Sequence, residues 1–331
     1  MNLNIENQLY HIISCSNSTQ SLIHILLAIS GGQDSMYLIY IIEKLKKHII
    51  LENIVLDVAY IYVDHQWKNY SYKQIEHIIN YVRSLNRNID IYQNKKNTFS
   101  EHECRIKRYH IIFQHAIKHK YTLILTGHNK TDKIETFFQG LLRGSGMDGT
   151  TSLTLQSINN RNFHLLRPLL NIAREKIYWK CKKNFLPIWS DTTNYIYSIH
   201  RNRLRNEIIP YMKKYLHQNI ENNIEHLLKN YYYDNEYIKQ NTIKTYLKVR
   251  HKKYISINFR KLQKQNIALQ VRIIQLFLYH NINIEINYNK LTRLIRIMNQ
   301  KSNKLLEKIE YKSLQINFHN EWLYITLKNN I

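Results

Sequence analysis

A chain of 331 residues, 44% of them hydrophobic, is long enough for two cores, and no uninterrupted run of about 18 apolar residues crosses it, which excludes the segment a membrane-spanning helix needs. Its 48 Lys and Arg stand against 24 Asp and Glu, a formal charge of +24, so the expected partner is a polyanion such as RNA or DNA. The scattered Cys15, Cys104 and Cys181 make neither a disulfide framework nor a zinc motif, and Met1 to Ser18, with acidic Glu6 and no basic region, reads as neither a secretory signal nor a transit peptide. An AT-rich coding sequence explains the wealth of Ile, Asn, Lys and Tyr, but not a two-to-one excess of basic over acidic residues.

Taken in order, Leu22 to Ser30 is a nearly continuous apolar run and predicts a buried strand, followed by a helix over Ser35 to Lys47. The alternation continues with a strand at Ile54 to Asp64, a helix at Tyr72 to Leu85, a strand at Ile89 to Tyr92 and a helix at Glu101 to His119. Tyr121 to Thr126 is strand-like, and a helix follows from about Asp132 to Leu142. Strands separated by helices of this length predict an α/β fold, a doubly wound parallel sheet of Rossmann-like type, with ligands at the carboxyl ends of the strands. Around Tyr211 the pattern changes to helices rich in Asn, Lys and Tyr, with no strand expected until the last twenty residues. The expected division is therefore a catalytic domain over 1–211 and a smaller, mainly helical domain over 212–331. A β-hairpin formed by Ser313 to Phe318 and Glu321 to Leu327 would close the second domain.

Candidate chemistry sits just after strands. Ser30-Gly31-Gly32-Gln33-Asp34-Ser35 joins a strand to a helix, so its backbone N–H groups can converge on an anion with the helix dipole behind them. A tight turn is the plain alternative, and the loop is not a Walker motif. Asp34 serves either as a helix cap or as a ligand for Mg²⁺. Asp64 with His65, and Gly127 with His128, also follow strand runs. Asp132 and Glu135 lie three apart on one helical face, which is either an ordinary solvated face or a pair of carboxylates aimed at one site.

The loop resembles the SGGxDS signature of N-type ATP pyrophosphatases, which cleave ATP to AMP and pyrophosphate. Within that superfamily the chain resembles the tRNA(Ile)-lysidine synthetases. Val63-Asp64-His65 is similar to their VDH motif, and the segment Glu101 to Tyr109, holding Cys104, Arg105 and Arg108, to their ExxARxxRY helix, with Cys104 in place of alanine. His128 to Thr136 is similar to HHxDDxxET, and Arg143-Gly144-Ser145-Gly146 to the RGSG turn. Arg167 to Leu170, Asp191 to Asn194 and Arg201 to Arg205 follow as RPLL, DxSN and RNRIR, in the family's order, over roughly the first two thirds of the chain. Asn129 and Thr131 depart from the second His and first Asp of HHxDD, and Thr193 from the Ser of DxSN.

The resemblance implies an adenine-nucleotide α-hydrolase-like fold and a ligase. ATP would adenylate the oxygen on ring carbon 2 of the wobble cytidine in a CAU-anticodon tRNA(Ile), and the ε-amine of free L-lysine would displace AMP. It implies ATP contacts at Ser30, Gly31, Gly32, Gln33, Asp34, Ser35, Asp64, His65 and His128, and Mg²⁺ between Asp34 and Asp132. Asp34, Arg105, Asp132 and Glu135 would be catalytic, with Arg105 and Arg108 near the α-phosphate and a carboxylate available to the lysine ammonium. Arg201, Arg203 and Arg205 either grip tRNA phosphates or pair with Asp191, and the second domain would bind tRNA.

A thiolase of the same loop family would need a Cys-x-x-Cys or an activated cysteine, and the chain has no Cys-x-x-Cys. A basic RNA-binding protein without catalysis is the rival of a different class, against which Asp34, Asp132 and Glu135 speak. The composition, the lack of a transit peptide and the GHxxxD form of the third motif point to a plastid-encoded protein of the chloroplast stroma, with the cytoplasm of a reduced-genome bacterium as the alternative.

Overall fold

The computed structural model describes residues 9, 22–49, 55–64, 71–93, 100–159, 163–190, 196–197, 199–299, 309–311 and 314–327. The chain divides into two compact units, Met1–Leu228 and Lys229–Ile331. That division lies inside a long helix and later than residue 211.

The first unit is built on a six-stranded sheet in the order β3-β2-β1-β4-β6-β5, where β1 is Leu22–Ile29, β2 Val55–Asp64, β3 Ile89–Gln93, β4 Leu123–Thr126, β5 Gln156–Asn159 and β6 Phe163–Leu166. All its pairings are parallel except that of β5 with β6. Because side chains alternate across a strand, Ile23, Ile25, Leu27 and Ile29 of β1 join one core while Leu26 joins the other. Helices α1 (Gln33–Ile49) and α2 (Ser71–Ser84) supply Met36, Ile39, Ile42 and Ile78 to the first core. Helix α3 (Glu101–Lys118) supplies Ile112 and Ala116 to the second. Burial on both faces is why β1 and β4 read as apolar runs rather than as alternating patterns.

Helix α4 (Lys130–Leu142) follows β4, and α5 (Arg174–Lys183) follows β6. A helical segment then begins with His200–Arg203 and is interrupted by π-turns at Leu204–Ile208 and Met212–Leu216. Helix α6 spans Ile220–Val249.

In the second unit, α7 (Ile267–Ile282) and α8 (Tyr288–Asn299) contribute Ile273, Phe277, Leu291 and Leu294 to a core shared with an antiparallel sheet, β7-β10-β9-β8. The expected hairpin is present as β9 (Leu314–His319) and β10 (Trp322–Leu327), turning through Asn320 at φ 53°. It is not alone: β8 (Ile309–Tyr311) pairs with β9. The expectation of no earlier strand is corrected by β7 (Ser256–Asn258), three residues that pair with β10 across more than sixty positions of sequence. So short a strand has no periodicity of its own; its partner defines it. Among the described residues no helix is long and apolar enough to cross a membrane.

Candidate active site

Strand β1 is flanked by β2 on one side and β4 on the other, so the chain winds away from it in both directions and a crevice opens beyond the carboxyl ends of β1 and β4. The loop between β1 and α1 sits there with its carbonyls turned into the protein. Ser30 O accepts from Gln74 Nε2 at 2.7 Å, and Gly31 O from the backbone N–H of Trp189 at 3.1 Å. Gly32 O accepts from Met36 N–H at 3.1 Å and from Ser35 Oγ at 2.9 Å. This leaves the amide edge of the loop, with the first-turn N–H groups of α1 that no helix satisfies internally, for an anion. Gly31 has φ +76°, a left-handed conformation that disfavours any side chain, and a Cβ there would come within 3.0 Å of Ile78. Gly127, at the end of β4, packs so closely on the loop that a Cβ would lie 3.2 Å from Asp34 C and Ser35 N.

Two clefts meet at this loop. The first, about 360 Å³, has an apolar floor from β1 and β2 (Ala28, Ile29, Ile61, Val63) and polar walls from Ser30, Asp34, Arg108, His128, Asp132, Arg201 and Arg205. The second, about 640 Å³, shares Ser30, Asp34 and Arg205 and adds Gln33, Arg174, Lys182 and Trp189. An apolar slot beside an anion-binding loop suits a flat base joined to phosphates.

The acidic pair lies in the first turn and a half of α4. Asn129 caps the helix by accepting from Asp132 N–H at 3.0 Å, and Asp132 Oδ2 accepts from Asn129 N–H at 3.0 Å, a capping box. Asp132 Oδ1 accepts from Arg201 at 2.6 Å and Arg205 at 3.2 Å. Glu135 is wholly buried and accepts from Arg201 Nε at 2.5 Å and from Arg205 at 2.5 and 2.9 Å. Two carboxylates and two guanidiniums thus form one network, with Arg205 carried by a π-turn, a feature frequent at functional sites. Arg201 holds Asp132 well below the usual carboxylate range against the opposing effect of burial.

Asp34 is the opposite case. Burial, with Asp132 adding like charge, pushes its carboxyl up to about 6, and its Oδ1 is buried without a hydrogen-bond partner. A bare buried carboxylate oxygen fits a cation. Among the described residues no three His, Cys, Asp or Glu side chains converge as a ready-made metal centre. Burial keeps His128 neutral, pulling it down to about 3, with its Nδ1 2.9 Å from Thr126 Oγ1.

The structure thus brings together Ser30, Gly31, Gly32, Gln33, Asp34, Ser35, His128, Asp132, Glu135, Arg201 and Arg205. Asp64 ends β2 and is buried; His65 and Asp191 to Asn194 lie outside the described residues. Three placements differ from expectation. Arg201 and Arg205 pair, at the cleft wall, with the buried carboxylates of Asp132 and Glu135, which neither expected role named, while Arg203, bonded to Glu207 at 3.0 Å, is the exposed one of the three. Both Asp132 oxygens accept hydrogen bonds, whereas the buried Oδ1 of Asp34 has no such partner. Arg108 lines the first cleft, while Arg105 lies over the Tyr109 ring at 5.8 Å. Sequence reading missed Gln74, Trp189 and Arg174, which carry no local motif. The Asn129-x-x-Asp132 capping spacing was open to it.

Residues 1–212 match the PP-loop domain family, ATP_bind_3. The chain is 40% identical to the chloroplastic tRNA(Ile)-lysidine synthase of Gracilaria tenuistipitata var. liui over 97% of its own length and 98% of that protein's. The chain belongs to the tRNA(Ile)-lysidine synthase family. It is also 30% identical to the chloroplastic family member of Pyropia yezoensis, covering 92% of this chain and 90% of that one, and 36% identical over 57% of its length to the Nostoc sp. member, of which 54% is covered. Among solved structures it is similar to the U34-tRNA thiolase NcsA of Methanococcus maripaludis, with a TM-score of 0.55 and 16% identity over 69% of this chain and 77% of that one, a likeness of fold.

Proposed function

We propose that this ligase joins free L-lysine to ring carbon 2 of the wobble cytidine in CAU-anticodon tRNA(Ile), using ATP. The cytidine oxygen on that carbon attacks the α-phosphate and releases pyrophosphate. The ε-amine of lysine then attacks the activated carbon, loses a proton and expels AMP. The observation that carries this reading is the convergence of the Ser30–Ser35 loop and the Asp132–Glu135 pair at the crevice beyond β1 and β4, in a chain of this family.

In this reading the loop amides hold the β- and γ-phosphates that leave, and the apolar floor takes adenine. Neutral His128 lines the nucleotide cleft without adding charge. Asp34 would hold Mg²⁺, which supplies charge neutralisation on the phosphates when bound. Arg205 borders both clefts and Arg174 the second, so both stand where charge develops at the α-phosphate. Asp132, Arg201 and Arg205 of the acidic pair's network line the first cleft, where they offer both signs of charge to a zwitterionic amino acid. The second unit, Lys229–Ile331, binds tRNA, and the protein works in the plastid stroma.

The test is incorporation of labelled lysine into a CAU isoleucine transcript by the purified chain, with release of AMP and pyrophosphate. Tight tRNA binding without incorporation would leave a non-catalytic RNA-binding protein.

A further inference from the structure

Helix α5 buries one stripe, Ile177 and Cys181, and turns aromatic and basic residues outward. Trp179 is 70% exposed, and Tyr178, also exposed, lies at 71° to it with ring centres 6.2 Å apart. Lys182 Nζ sits 5.6 Å above the Tyr178 ring. Phe185, just past the helix, is 93% exposed. Burial does not account for these rings.

Phe185 is also held in an unusual backbone. Its N–H donates to Lys182 O at 3.1 Å and that of Leu186 to Cys181 O at 3.0 Å, the paired bonds of a Schellman cap whose left-handed position normally belongs to glycine. Phe185 occupies it at φ 49°. A bulky residue there costs backbone energy and returns no packing, so what it contributes lies outside the fold.

Charge identifies the partner. Between 174 and 185 stand Arg174, Lys176, Lys180, Lys182 and Lys183 against Glu175 alone. Exposed rings interleaved with lysines are the chemistry of unpaired nucleic acid, with bases stacking on the rings and phosphates meeting the ammonium groups. A regular duplex keeps its bases stacked and has no use for them. The patch is continuous with the site, because Tyr178 and Lys182 line the second cleft together with Ser30 and Asp34.

We propose that Trp179 and Phe185 are stacking platforms for unpaired bases of an RNA loop, placed so that a neighbouring nucleotide enters the cleft beside Asp34. This rests on the ligase reading for the identity of the RNA, but not for the binding itself.

The experiment measures binding of a 5′-labelled CAU anticodon stem–loop, and of a fully paired RNA of the same length, to the full chain by anisotropy. Trp179→Ala is expected to weaken stem–loop binding about tenfold, from the worth of one base–aromatic stack, and to leave duplex binding unchanged; Trp179→Phe restores most of the loss. Phe185→Gly relieves the cap, so its melting temperature stays level or rises while stem–loop affinity falls. Unchanged stem–loop affinity in Trp179→Ala and Phe185→Gly overturns the proposal, as does equal loss for duplex. Unchanged RNA affinity with a change in oligomeric state assigns the patch to a protein contact instead. Lysine incorporation is scored separately: stacking loss in a chain that incorporates no lysine retains the platform and removes the ligase reading, whereas wild-type kcat/KM in Trp179→Ala does the reverse.

Discussion

Arg201 Nε donates to Glu135 Oε2 at 2.5 Å, joining a residue of the helical segment after 199 to a carboxylate with no exposed surface. Arg205 grips the carboxylate's other side, with its Nε donating to Oε1. Removing one partner of such a buried pair strands the other's charge, at a cost of about 3 kcal/mol or more. Arg205→Ala should therefore lower the denaturant midpoint markedly as well as abolish lysine transfer. Arg205→Lys should restore only part of either, since an ammonium cannot reproduce the two-pronged contact. Equal stability of Arg205→Ala and wild type in urea would refute the network's structural role.

Asp34 predicts a trade of stability for function. Its folded carboxyl, raised from 3.8 to about 6, is favourable to folding below 3.8 and loses that contribution as the pH rises through about 6. At pH 7.5 Asp34→Asn should thus gain about 2 kcal/mol of stability while losing adenylation, as expected where a group is held at the fold's expense. Calorimetry across pH 5 to 8 decides it: the gain should shrink on the acid side. By the same sign, Mg²⁺ affinity should fall below about pH 6, where a proton competes for the carboxylate.

Two glycines should fail in different ways. A Cβ on Gly127 meets loop backbone at 3.2 Å, so Gly127→Ala should both destabilise the protein by about 2 kcal/mol and raise the KM for ATP. A Cβ on Gly32 finds only Ser30 Oγ at 3.8 Å. Gly32→Ala should then melt close to wild type yet bind ATP much more weakly, because the methyl occupies the phosphate's approach. Loss of stability in Gly32→Ala, or normal ATP binding, would show that the glycine serves the turn rather than the ligand.

How much of this was legible in the sequence follows from the range of each interaction. Strands β1 to β4 and their helices were readable to within a few residues, β1 and β4 because a strand buried on both faces is an apolar run. The motifs at Ser30–Ser35 and Asp132–Glu135 were readable because neighbours in sequence build them. The link of Arg201 and Arg205 to Glu135 spans 66 and 70 residues and leaves no local trace. It depends on where the helical segment after 199 comes to rest, and this turned arginines read either as phosphate contacts or as partners of Asp191 into partners of the acidic pair. Gln74 and Trp189, which hold the loop's carbonyls, were hidden for the same reason.

His115 supplies a pH test away from the site. It is buried, with Nδ1 2.9 Å from the Tyr92 hydroxyl, Nε2 3.7 Å from Asp90 Oδ2 and its ring 4.4 Å from that of His119. Burial is the largest influence and lowers its pKa, reinforced by His119 and Lys118 and opposed by Asp90. A histidine depressed in the fold contributes stability that is fully present above its ordinary value of 6.5 and is lost as the pH falls from there through the folded value. The slope of unfolding free energy against pH just below 6.5 should therefore be reduced in His115→Gln, which keeps a polar group near Tyr92 but cannot take up a proton. Asp90→Asn should steepen that slope, because it removes a neighbour that favours the charged ring. If Asp90→Asn left the slope unchanged, the titrating group would lie elsewhere.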